Sequence, residues 1–359
     1  HMNPIFKQKI RTILDIFAGE ISISALITMG DIIIEKNPCL LKYADLQLYE
    51  HQKKLFTICK KENPKLISYI APTGTGKTLS PLGLSENHKI IFVCAARHVG
   101  LALAKAAISK EKKVAFAFGC TSPDDIRLHY FAATDYIRNR RSGMIAKVDN
   151  SVGDKVEIMI CDIKSYLCAM HYMLGFNDKK DIIMYWDEPT ISMDYGEHEI
   201  HPIIHKNWQE NQIPNIVLSS ATLPQEDELQ DTILDFRARF DGGMIHSIIS
   251  YDCKKTIPLI NKEGFIDMPH YISETYDDLC AIVHHCEKNK TLLRYIDLKE
   301  AIKVIMYMNK YNYVTKENLF LERYFTAIDM INMAEIKLYY LLLLKNVASD
   351  QWRDLQEQL

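Results

Sequence analysis

Apolar runs alternate with amphipathic segments through the middle of the chain. Six short runs rich in Ile, Val, Phe and Tyr have the length and composition of β-strands. They lie at 65–71, 89–95, 113–118, 155–161, 181–186 and 215–220. Segments with helical spacing lie between or beside them, at 50–61, 77–86, 97–109, 124–139, 162–173 and 226–238. Runs that are apolar on both faces and separated by helices predict an α/β domain with a parallel sheet covered by helices.

The two ends of the chain have a different pattern. Residues 4–18 have helical apolar spacing, which predicts an extra N-terminal helix. Near the other end, the pattern predicts a strand at 290–296, a helix at 297–311 and further helix over 316–359. We therefore divide the chain into an N-terminal helical extension (1–40), an α/β domain (41–250) and a last part (251–359). This last part is a linker, a partial second domain or a helical module.

Composition supports a globular protein of about two domains, with 359 residues, 48% of them hydrophobic and 25% charged. A net charge of −3 gives no overall attraction to nucleic acid. The apolar run at 338–344 is far shorter than the ~20 residues of a membrane span, so we expect a soluble protein. Nine cysteines without a C-x-x-C pair favour reduced cysteines and a cytoplasmic, reducing compartment.

The segment "YIAPTGTGKTLS" (69–80) has the pattern of a phosphate-binding loop. A buried strand ends, a loop of small residues follows, and Lys77 and Thr78 open a helix. Glycines let successive backbone N–H groups point inward at phosphate oxygens, and the helix N-terminus adds partial positive charge. Lys77 would reach the β- and γ-phosphates, and the Thr78 hydroxyl would bind Mg²⁺. The predicted nucleotide-binding residues of the loop are Thr73, Gly74, Thr75, Gly76, Lys77 and Thr78.

Two adjacent carboxylates end the apolar run of "DIIMYWDEPTISM" (181–193). Taken alone, Asp187 and Glu188 could equally close a strand at the surface. With a phosphate loop upstream, the two carboxylates are expected on the same edge of the sheet as that loop. Asp187 is then placed to hold Mg²⁺, and Glu188 to orient and deprotonate an attacking water.

A third strand ends in "VLSSATLP" (217–224), so Gly-Lys-Thr, Asp-Glu and Ser-Ala-Thr follow three strands in that order. This ensemble resembles the first RecA-like domain of superfamily 2 helicases, the class that includes DEAD-box and DExH proteins. "APTGTGKT" looks like their motif I, "DEPT" like motif II and "SAT" (220–222) like motif III. "LYEHQKKLF" (48–56) is similar to the segment that carries an adenine-reading Gln, and "CAARHVGLALAKA" (94–106) to motif Ia. The resemblance covers roughly residues 48–225.

The resemblance implies a RecA-like P-loop NTPase domain that uses ATP and Mg²⁺. It assigns the reading of adenine to Gln52 and the coupling of nucleotide state to nucleic acid to Ser220 and Thr222. Lys77, Asp187 and Glu188 take the catalytic roles, and Thr78 and Asp187 hold the metal. Arg97 stands in the place of the arginine of motif Ia.

Several features depart from the family pattern. DEPT is neither DEAD nor DEAH, and Pro189 and Thr190 replace residues that connect motif II to motif III in relatives. "CDIKSYL" (161–167) does not match motif Ib, and the aromatic residue that stacks on adenine in DEAD-box proteins is not identifiable, with Tyr49 and Tyr43 as candidates. No arginine-finger motif follows residue 250. Because 291–309 is similar to the opening strand and helix of a second RecA-like domain, we expect the rest of that domain beyond the end of this chain. This chain alone should then bind ATP and hydrolyse it slowly.

Nucleic acid is the partner that the resemblance implies, with RNA and DNA both open. Residues 89–150 contain eleven Lys or Arg and five Asp or Glu, a local balance of +6. Backbone contacts from this region would read a strand and not its sequence. The candidates are Arg97, Lys105, Arg138, Arg140, Arg141 and Lys147, with Tyr130, Phe131 and Tyr136 for stacking on bases. Residues 138–155 are polar and contain Gly, which predicts a loop.

Three function hypotheses stay open. The first is an ATP-dependent superfamily 2 helicase or translocase. The second is a helicase-like, non-motor subunit that binds nucleic acid or assembles with partners through a helical C-terminal part. The third, a P-loop kinase or unrelated NTPase, is disfavoured by the Ser-Ala-Thr segment and Gln52. A zinc site at His198, His201 and His205 is also disfavoured, because Pro202 disturbs the helix and a fourth ligand is needed. The resemblance extends loosely to helicases of large DNA viruses, which would place the protein in host cytoplasm or a virion.

Overall fold

The computed structural model describes residues 8–9, 11–12, 22–36, 48–190, 195–224, 226–251, 255–327 and 330–358. Its contacts divide the chain into two compact units. Residues 49–250 form one, the α/β unit, and residues 1–48 together with 251–359 form the other, the helical unit. The predicted helix at 4–18 and the predicted boundary at residue 40 lie mostly or wholly outside the described residues.

The regular elements follow the chain in this order. The strands span Lys65–Ile70 (β1), Lys89–Cys94 (β2), Val114–Ala117 (β3), Arg127–Leu128 (β4), Tyr136–Arg138 (β5), Ile145–Val148 (β6), Ile158–Asp162 (β7), Ile182–Asp187 (β8), Asn215–Ser220 (β9) and Met244–Ile249 (β10). The α-helices span Ile23–Thr28 (α1), Glu50–Cys59 (α2), Ser80–Leu84 (α3), Arg97–Ile108 (α4), Tyr166–Leu174 (α5), His201–Glu210 (α6), Gln230–Arg239 (α7), Pro269–Ile272 (α8), Tyr276–Lys288 (α9), Leu298–Lys310 (α10), Leu321–Tyr324 (α11), Met333–Lys345 (α12) and Trp352–Gln358 (α13).

The α/β unit is built on an eight-stranded sheet with the order β10-β1-β9-β8-β2-β7-β3-β4. All neighbouring strands are parallel except β4, which runs antiparallel to β3. Each of the six predicted strands is present within a few residues of its predicted bounds, and β10 was not predicted. The α/β fold predicted from the sequence is thus confirmed.

Helices cover both faces of this sheet. Along β2, Ile91 and Val93 belong to the core shared with α5 and α7, while Ile90 and Phe92 belong to the core shared with α2 and α4. Because successive side chains of a strand point to opposite faces, a strand that is apolar throughout needs two covering layers. This is why the central strands read as continuous apolar runs.

The predicted helix at 124–139 is wrong. The chain there forms a 3₁₀ turn at Pro123–Asp125, the two-residue strand β4 and then β5. The predicted loop at 138–155 is also partly wrong, because β5 and β6 pair as an antiparallel two-stranded ribbon. Tyr136 lies opposite Val148 and Ile137 opposite Lys147, with a bulge after Ile137. We call residues 136–148 the β5–β6 ribbon.

The helical unit has its own apolar core, in which Ile27 of α1 is buried with residues of α9, α10 and α12. The predicted strand at 290–296 is wrong, because Lys290–Tyr295 forms a 3₁₀ helix. The Leu293 carbonyl accepts a 2.8 Å hydrogen bond from Nζ of Lys337, a fully buried lysine of α12. Among the residues described after position 250 there is an isolated bridge between Ile260 and Ile266, but no strand. Only the strand of the predicted strand and helix in 290–311 is thus contradicted, because the helix predicted at 297–311 is present as Leu298–Lys310.

Within the described part of the chain, no helix combines the length and apolar character needed to cross a bilayer. The seven described cysteines are free thiols.

A buried histidine makes the helical unit sensitive to acid. His270 is 1% exposed, and its Nδ1 lies 2.6 Å from the Tyr340 hydroxyl. Burial lowers the pKa of His270 to about 4, because the charged ring would lose its hydration. The folded pKa lies below the unfolded value near 6.5, so the unfolded chain takes up the proton first as the pH falls. The stabilisation is complete above pH 6.5 and is lost on going from pH 6.5 toward pH 4.

We predict that His270→Gln, which does not titrate, loses less stability than the wild type on acidification. The difference should be about 2 kcal/mol in unfolding free energy between pH 7 and pH 4.5. Hydrogen exchange of α12 amides, corrected for intrinsic rates, measures it, with the exposed His284→Gln as the matched control. Equal acid sensitivity in His270→Gln and wild type would contradict the assignment.

Candidate functional site

The loop between β1 and α3 has the backbone conformation that its glycines permit. Gly74 and Gly76 have φ of +83° and +79°, in the left-handed region that disfavours other residues. Oγ1 of Thr75 donates a 2.7 Å hydrogen bond to the Pro72 carbonyl, which closes the loop on itself. The predicted helix at 77–86 begins as a 3₁₀ turn at Lys77–Leu79 before α3.

Lys77 lies within the concave side of this loop. Its side chain is buried, and Nζ donates to the carbonyls of Ala71 at 2.5 Å and Pro72 at 3.2 Å. The Tyr185 hydroxyl donates a 2.7 Å hydrogen bond to the Lys77 carbonyl and thereby ties the loop to β8. An ammonium group makes charge-assisted hydrogen bonds, which suits Lys77 to an anion such as phosphate.

Asp187 ends β8 beneath the loop. It is 5% exposed, and its two oxygens accept hydrogen bonds from Thr78 Oγ1 at 3.3 Å and Ser219 Oγ at 3.4 Å. Burial, together with the neighbouring Glu188 carboxylate, raises the pKa of Asp187 to about 6, while Thr78, Lys77 and Ser219 act in the opposite direction. A buried carboxylate beside a hydroxyl is a set of hard oxygen donors of the kind Mg²⁺ prefers. The residues predicted to hold the metal therefore fit such an ion.

Glu188 has a strained backbone and a fixed side chain. Its φ is +52°, uncommon for a residue with a side chain, and its N–H donates a 2.7 Å bond to the Ser219 carbonyl. Oε2 accepts a 2.5 Å hydrogen bond from Ser220 Oγ. Ser220 Oγ also lies 3.4 Å from Thr190 Oγ1 and accepts a bond from the Thr222 N–H at 3.2 Å. The DEPT and SAT segments are thus joined through Ser220, and Thr190 contributes to this connection.

Gln52 joins α2 to the loop between β1 and α3. Its Oε1 accepts from the Tyr49 N–H at 3.0 Å, and its Nε2 donates to the Gly76 carbonyl at 3.3 Å. The sequence placed Gln52 near the nucleotide, but it did not predict this contact. Tyr49 stacks on His51 with ring centroids 5.1 Å apart, so this candidate for adenine stacking packs against the protein, and Tyr43 lies outside the described residues.

Arg97 opens α4 just after β2, on the carboxyl side of the sheet. Its Nη2 lies 3.5 Å from Asp162 Oδ2 at the end of β7, and its guanidinium lies 5.6 Å from the Phe118 ring centroid. The same Asp162 oxygen accepts a 2.8 Å hydrogen bond from the Gly119 N–H. The Arg97 side chain is 62% exposed, so its outer face is available to a ligand. Neither partner was predicted: Asp162 lies in 161–167, which lacks a recognisable motif, and Phe118 ends a predicted strand.

The structure does not bring the other basic candidates into contact with Arg97. Arg138, Arg140, Arg141 and Lys147 lie on the exposed β5–β6 ribbon, which follows the antiparallel strand β4. Tyr136 contacts Tyr130 at 5.6 Å between ring centroids, and Tyr130 contacts Phe131 at 4.5 Å. Lys105 is exposed on α4. Within the described ranges no three His, Cys, Asp or Glu side chains are grouped to hold a metal ion, and this includes His198, His201 and His205.

Comparisons with known proteins do not assign a family. No family model matches the chain, and no curated protein matches it. The chain is similar to a solved structure, the helicase domain of Hef from Pyrococcus furiosus, with 14% sequence identity and a TM-score of 0.34. The similarity covers 83% of this chain and 68% of that one. A similarity this low carries no conclusion about activity, so the case for function depends on the geometry of this chain's own residues.

Two glycines of the loop between β1 and α3 give a matched test of its geometry. A Cβ added at Gly76 would lie 2.8 Å from Gln52 Nε2, whereas a Cβ at Gly74 meets no atom within 4 Å. Both positions have positive φ, so alanine costs about 1–2 kcal/mol of backbone strain at either one. Only Gly76→Ala should also displace Gln52 and break its bond to the loop, which adds about 1 kcal/mol.

We predict that Gly76→Ala destabilises the α/β unit more than Gly74→Ala does. Urea unfolding of the two variants measures the difference. Repeating the pair in a Gln52→Ala background should reduce the difference to zero. A difference that survives in that background would show that Gln52 is not its cause.

Proposed function

We propose that the α/β unit is the ATP- and Mg²⁺-binding motor domain of a nucleic-acid-dependent NTPase of the superfamily 2 helicase or translocase type. The observation that carries this proposal is the convergence beneath the phosphate loop. Thr78 contacts Asp187, and Glu188 contacts Ser220, so groups from three separate strand ends meet at one place. A carboxylate pair that only closed a strand at the surface would need neither a buried aspartate nor a glutamate with a left-handed backbone conformation.

Each residue has a role that its position supports. The loop N–H groups and Lys77 would bind the β- and γ-phosphates. Thr78 and Asp187 would hold Mg²⁺, which when bound neutralises charge on the phosphates. Glu188, its carboxylate fixed by Ser220, would orient a water and accept its proton. Gln52, at the Gly76 carbonyl, is placed to sense whether the loop is occupied.

The connection from Glu188 through Ser220 to Thr222 supports a coupling role. Ser220 is fully buried and bonds both the catalytic carboxylate and the backbone N–H of Thr222. Thr222 is exposed beyond the end of β9. A change at the γ-phosphate that moved Glu188 would therefore move a surface residue through two hydrogen bonds. Arg97 is the proposed backbone contact for nucleic acid on the same side of the sheet.

The second candidate is a helicase-like subunit that binds nucleic acid or partners without motor activity. The observation that favours it is the helical character of the residues described after position 250, where strand 290–296 was expected. Under the first proposal, the positive charge that stabilises the transition state is supplied by the arginine finger of a second RecA-like domain. A reducing, cytoplasm-like compartment and a viral source stay predictions from the sequence.

We predict that the wild-type chain binds Mg²⁺-ATP and that Lys77→Ala weakens this binding at least about tenfold. The expected loss is that of a charge-assisted hydrogen bond to phosphate. Isothermal calorimetry measures the affinity. The exposed Lys61→Ala removes the same charge away from the loop and should bind normally.

Glu188→Gln should retain ATP binding and lose turnover about 10²- to 10⁴-fold, because the amide cannot accept the proton from water. Phosphate release, with and without nucleic acid, measures turnover, and the exposed Glu62→Gln is the matched control.

Normal ATP affinity in Lys77→Ala would refute the phosphate site. ATP binding without turnover under any nucleic-acid condition would favour the non-motor subunit.

A further inference from the structure

The β5–β6 ribbon is an exposed and strongly basic segment of the α/β unit. The sequence of 136–148, "YIRNRRSGMIAKV", contains four cationic residues and no acidic residue. They are Arg138, Arg140, Arg141 and Lys147, and all four are exposed. Among the described residues, none of the four takes part in a salt bridge. Their charges are thus available to an external anion.

The tip of the ribbon is an organised turn. Asn139 N–H donates to the Met144 carbonyl at 2.8 Å, and the Asn139 carbonyl accepts from the Gly143 N–H at 2.9 Å. Asn139 Oδ1 accepts from the Arg141 N–H at 2.9 Å. Gly143 has φ of +70°, which the tight turn requires. Arg140 and Arg141 are therefore presented at the tip on a backbone held by hydrogen bonds.

The base of the ribbon carries the opposite charge. Asp135 and Asp149 flank it, are both exposed, and are joined by a 3.0 Å hydrogen bond from the Asp149 N–H to the Asp135 carbonyl. The Arg138 guanidinium lies 5.5 Å from the Tyr136 ring centroid, which holds it along the ribbon. Positive charge thus increases from base to tip. A polyanion would be attracted to the tip and repelled at the base, so the ribbon should enter it end-on.

We propose that the β5–β6 ribbon inserts into the major groove of B-form duplex DNA. Two paired strands are about 4.8 Å apart, and a two-stranded ribbon fits the major groove of B-DNA, which is about 12 Å wide and 8.5 Å deep. The paired arms, three residues of β5 and four of β6, reach on the order of 10 Å before the turn, which exceeds the depth of the groove. A-form RNA has a deep, narrow major groove that side chains cannot read. The ribbon therefore selects duplex DNA over duplex RNA.

Exposed apolar side chains on the ribbon favour the DNA major groove over a ligand that offers only negative charge. Ile137 and Met144 are 60% and 69% exposed on the ribbon and its turn. The major groove offers apolar contacts at thymine methyl groups, and arginines can bond guanine edges as well as phosphates. This inference builds on the proposed function by naming the nucleic acid, but the ribbon would bind DNA without nucleotide.

The ribbon is separated from the phosphate loop by the width of the sheet. β1 and β4 are six strand spacings apart in the sheet order, about 30 Å at ~4.8 Å per spacing. Changes in the ribbon should therefore leave ATP affinity unchanged. ATP affinity measured on the same samples then separates a failure of this inference from a failure of the proposed ATP site.

The test compares the triple variant Arg138→Ala/Arg140→Ala/Arg141→Ala with a charge-matched control, Lys60→Ala/Lys179→Ala/Lys180→Ala, whose three lysines are exposed elsewhere on the α/β unit. Fluorescence anisotropy without nucleotide measures binding to one sequence as duplex DNA, duplex RNA and single-stranded DNA.

The wild type should bind duplex DNA at least about tenfold more tightly than duplex RNA. The ribbon variant should lose that preference, and its log–log salt slope should fall by about 3, because each removed arginine leaves one phosphate charge unneutralised. The control variant should keep both the preference for duplex DNA and the wild-type salt slope.

A modified duplex tests the groove itself. Cytosines with a bulky 5-substituent fill the major groove. The affinity of the wild type for this modified duplex should therefore fall to the affinity of the ribbon variant. The ribbon variant itself should bind the modified and unmodified duplexes equally. Equal losses in ribbon variant and control, or equal wild-type binding to duplex DNA and RNA, would overturn the proposal. So would ribbon-dependent binding to phosphatidylserine vesicles without duplex binding. Circular dichroism of the ribbon variant checks that the fold is kept.

Discussion

The parallel register of three neighbouring strands is the constraint on which the candidate site depends. Ile70 of β1 lies opposite Ser220 of β9, and Ser219 lies opposite Asp187 of β8. The three strands therefore end at the same level, and the residues that follow them meet at one edge. A shift of one residue in β8 would turn Asp187 to the opposite face and separate it from Thr78 and Ser219. The buried apolar layers on both sides of the sheet oppose such a shift.

That edge holds groups that are unfavourable elsewhere in a fold. Burial raises the pKa of Asp187 to about 6, Glu188 is held at positive φ, and Lys77 is buried on backbone carbonyls. Each of these features lowers stability, and the rigid sheet around them keeps them in place. Strain and buried charge that persist together at the end of parallel strands are typical of a site selected for binding and chemistry.

The sequence predicts the central strands, and so the edge of the sheet at which the candidate site residues lie, better than it predicts the periphery, for physical reasons. Apolar runs of six residues identify the central strands because both faces are buried, and each chemical motif directly follows such a run. The region 124–139 was predicted as helix because apolar side chains there also fit helical spacing. Strand β4 has only two residues, and its pairing with β3 depends on contacts distant in sequence. The segment 290–296 has strand-like composition, yet it packs as a 3₁₀ helix whose Leu293 carbonyl is satisfied by Lys337, 44 residues later. Such tertiary contacts, like the hydrogen bonds from Gln52 to the Gly76 carbonyl and from the Gly119 N–H to Asp162, leave no local signal in the sequence.

A double-mutant cycle on the Thr78–Asp187 pair tests the central claim most directly. The claim is that a hydroxyl after the phosphate loop and a carboxylate two strands away hold one Mg²⁺ for the same nucleotide. Calorimetric ATP affinity is measured for wild type, Thr78→Val, Asp187→Asn and the double variant, each with and without Mg²⁺. The account predicts that Mg²⁺ strengthens ATP binding by the wild type. It also predicts that the two substitutions are non-additive by about 0.5–3 kcal/mol when Mg²⁺ is present, and that this coupling is larger than the coupling left by their direct hydrogen bond when Mg²⁺ is absent. Additive effects in both conditions, or wild-type ATP affinity independent of Mg²⁺, would contradict it.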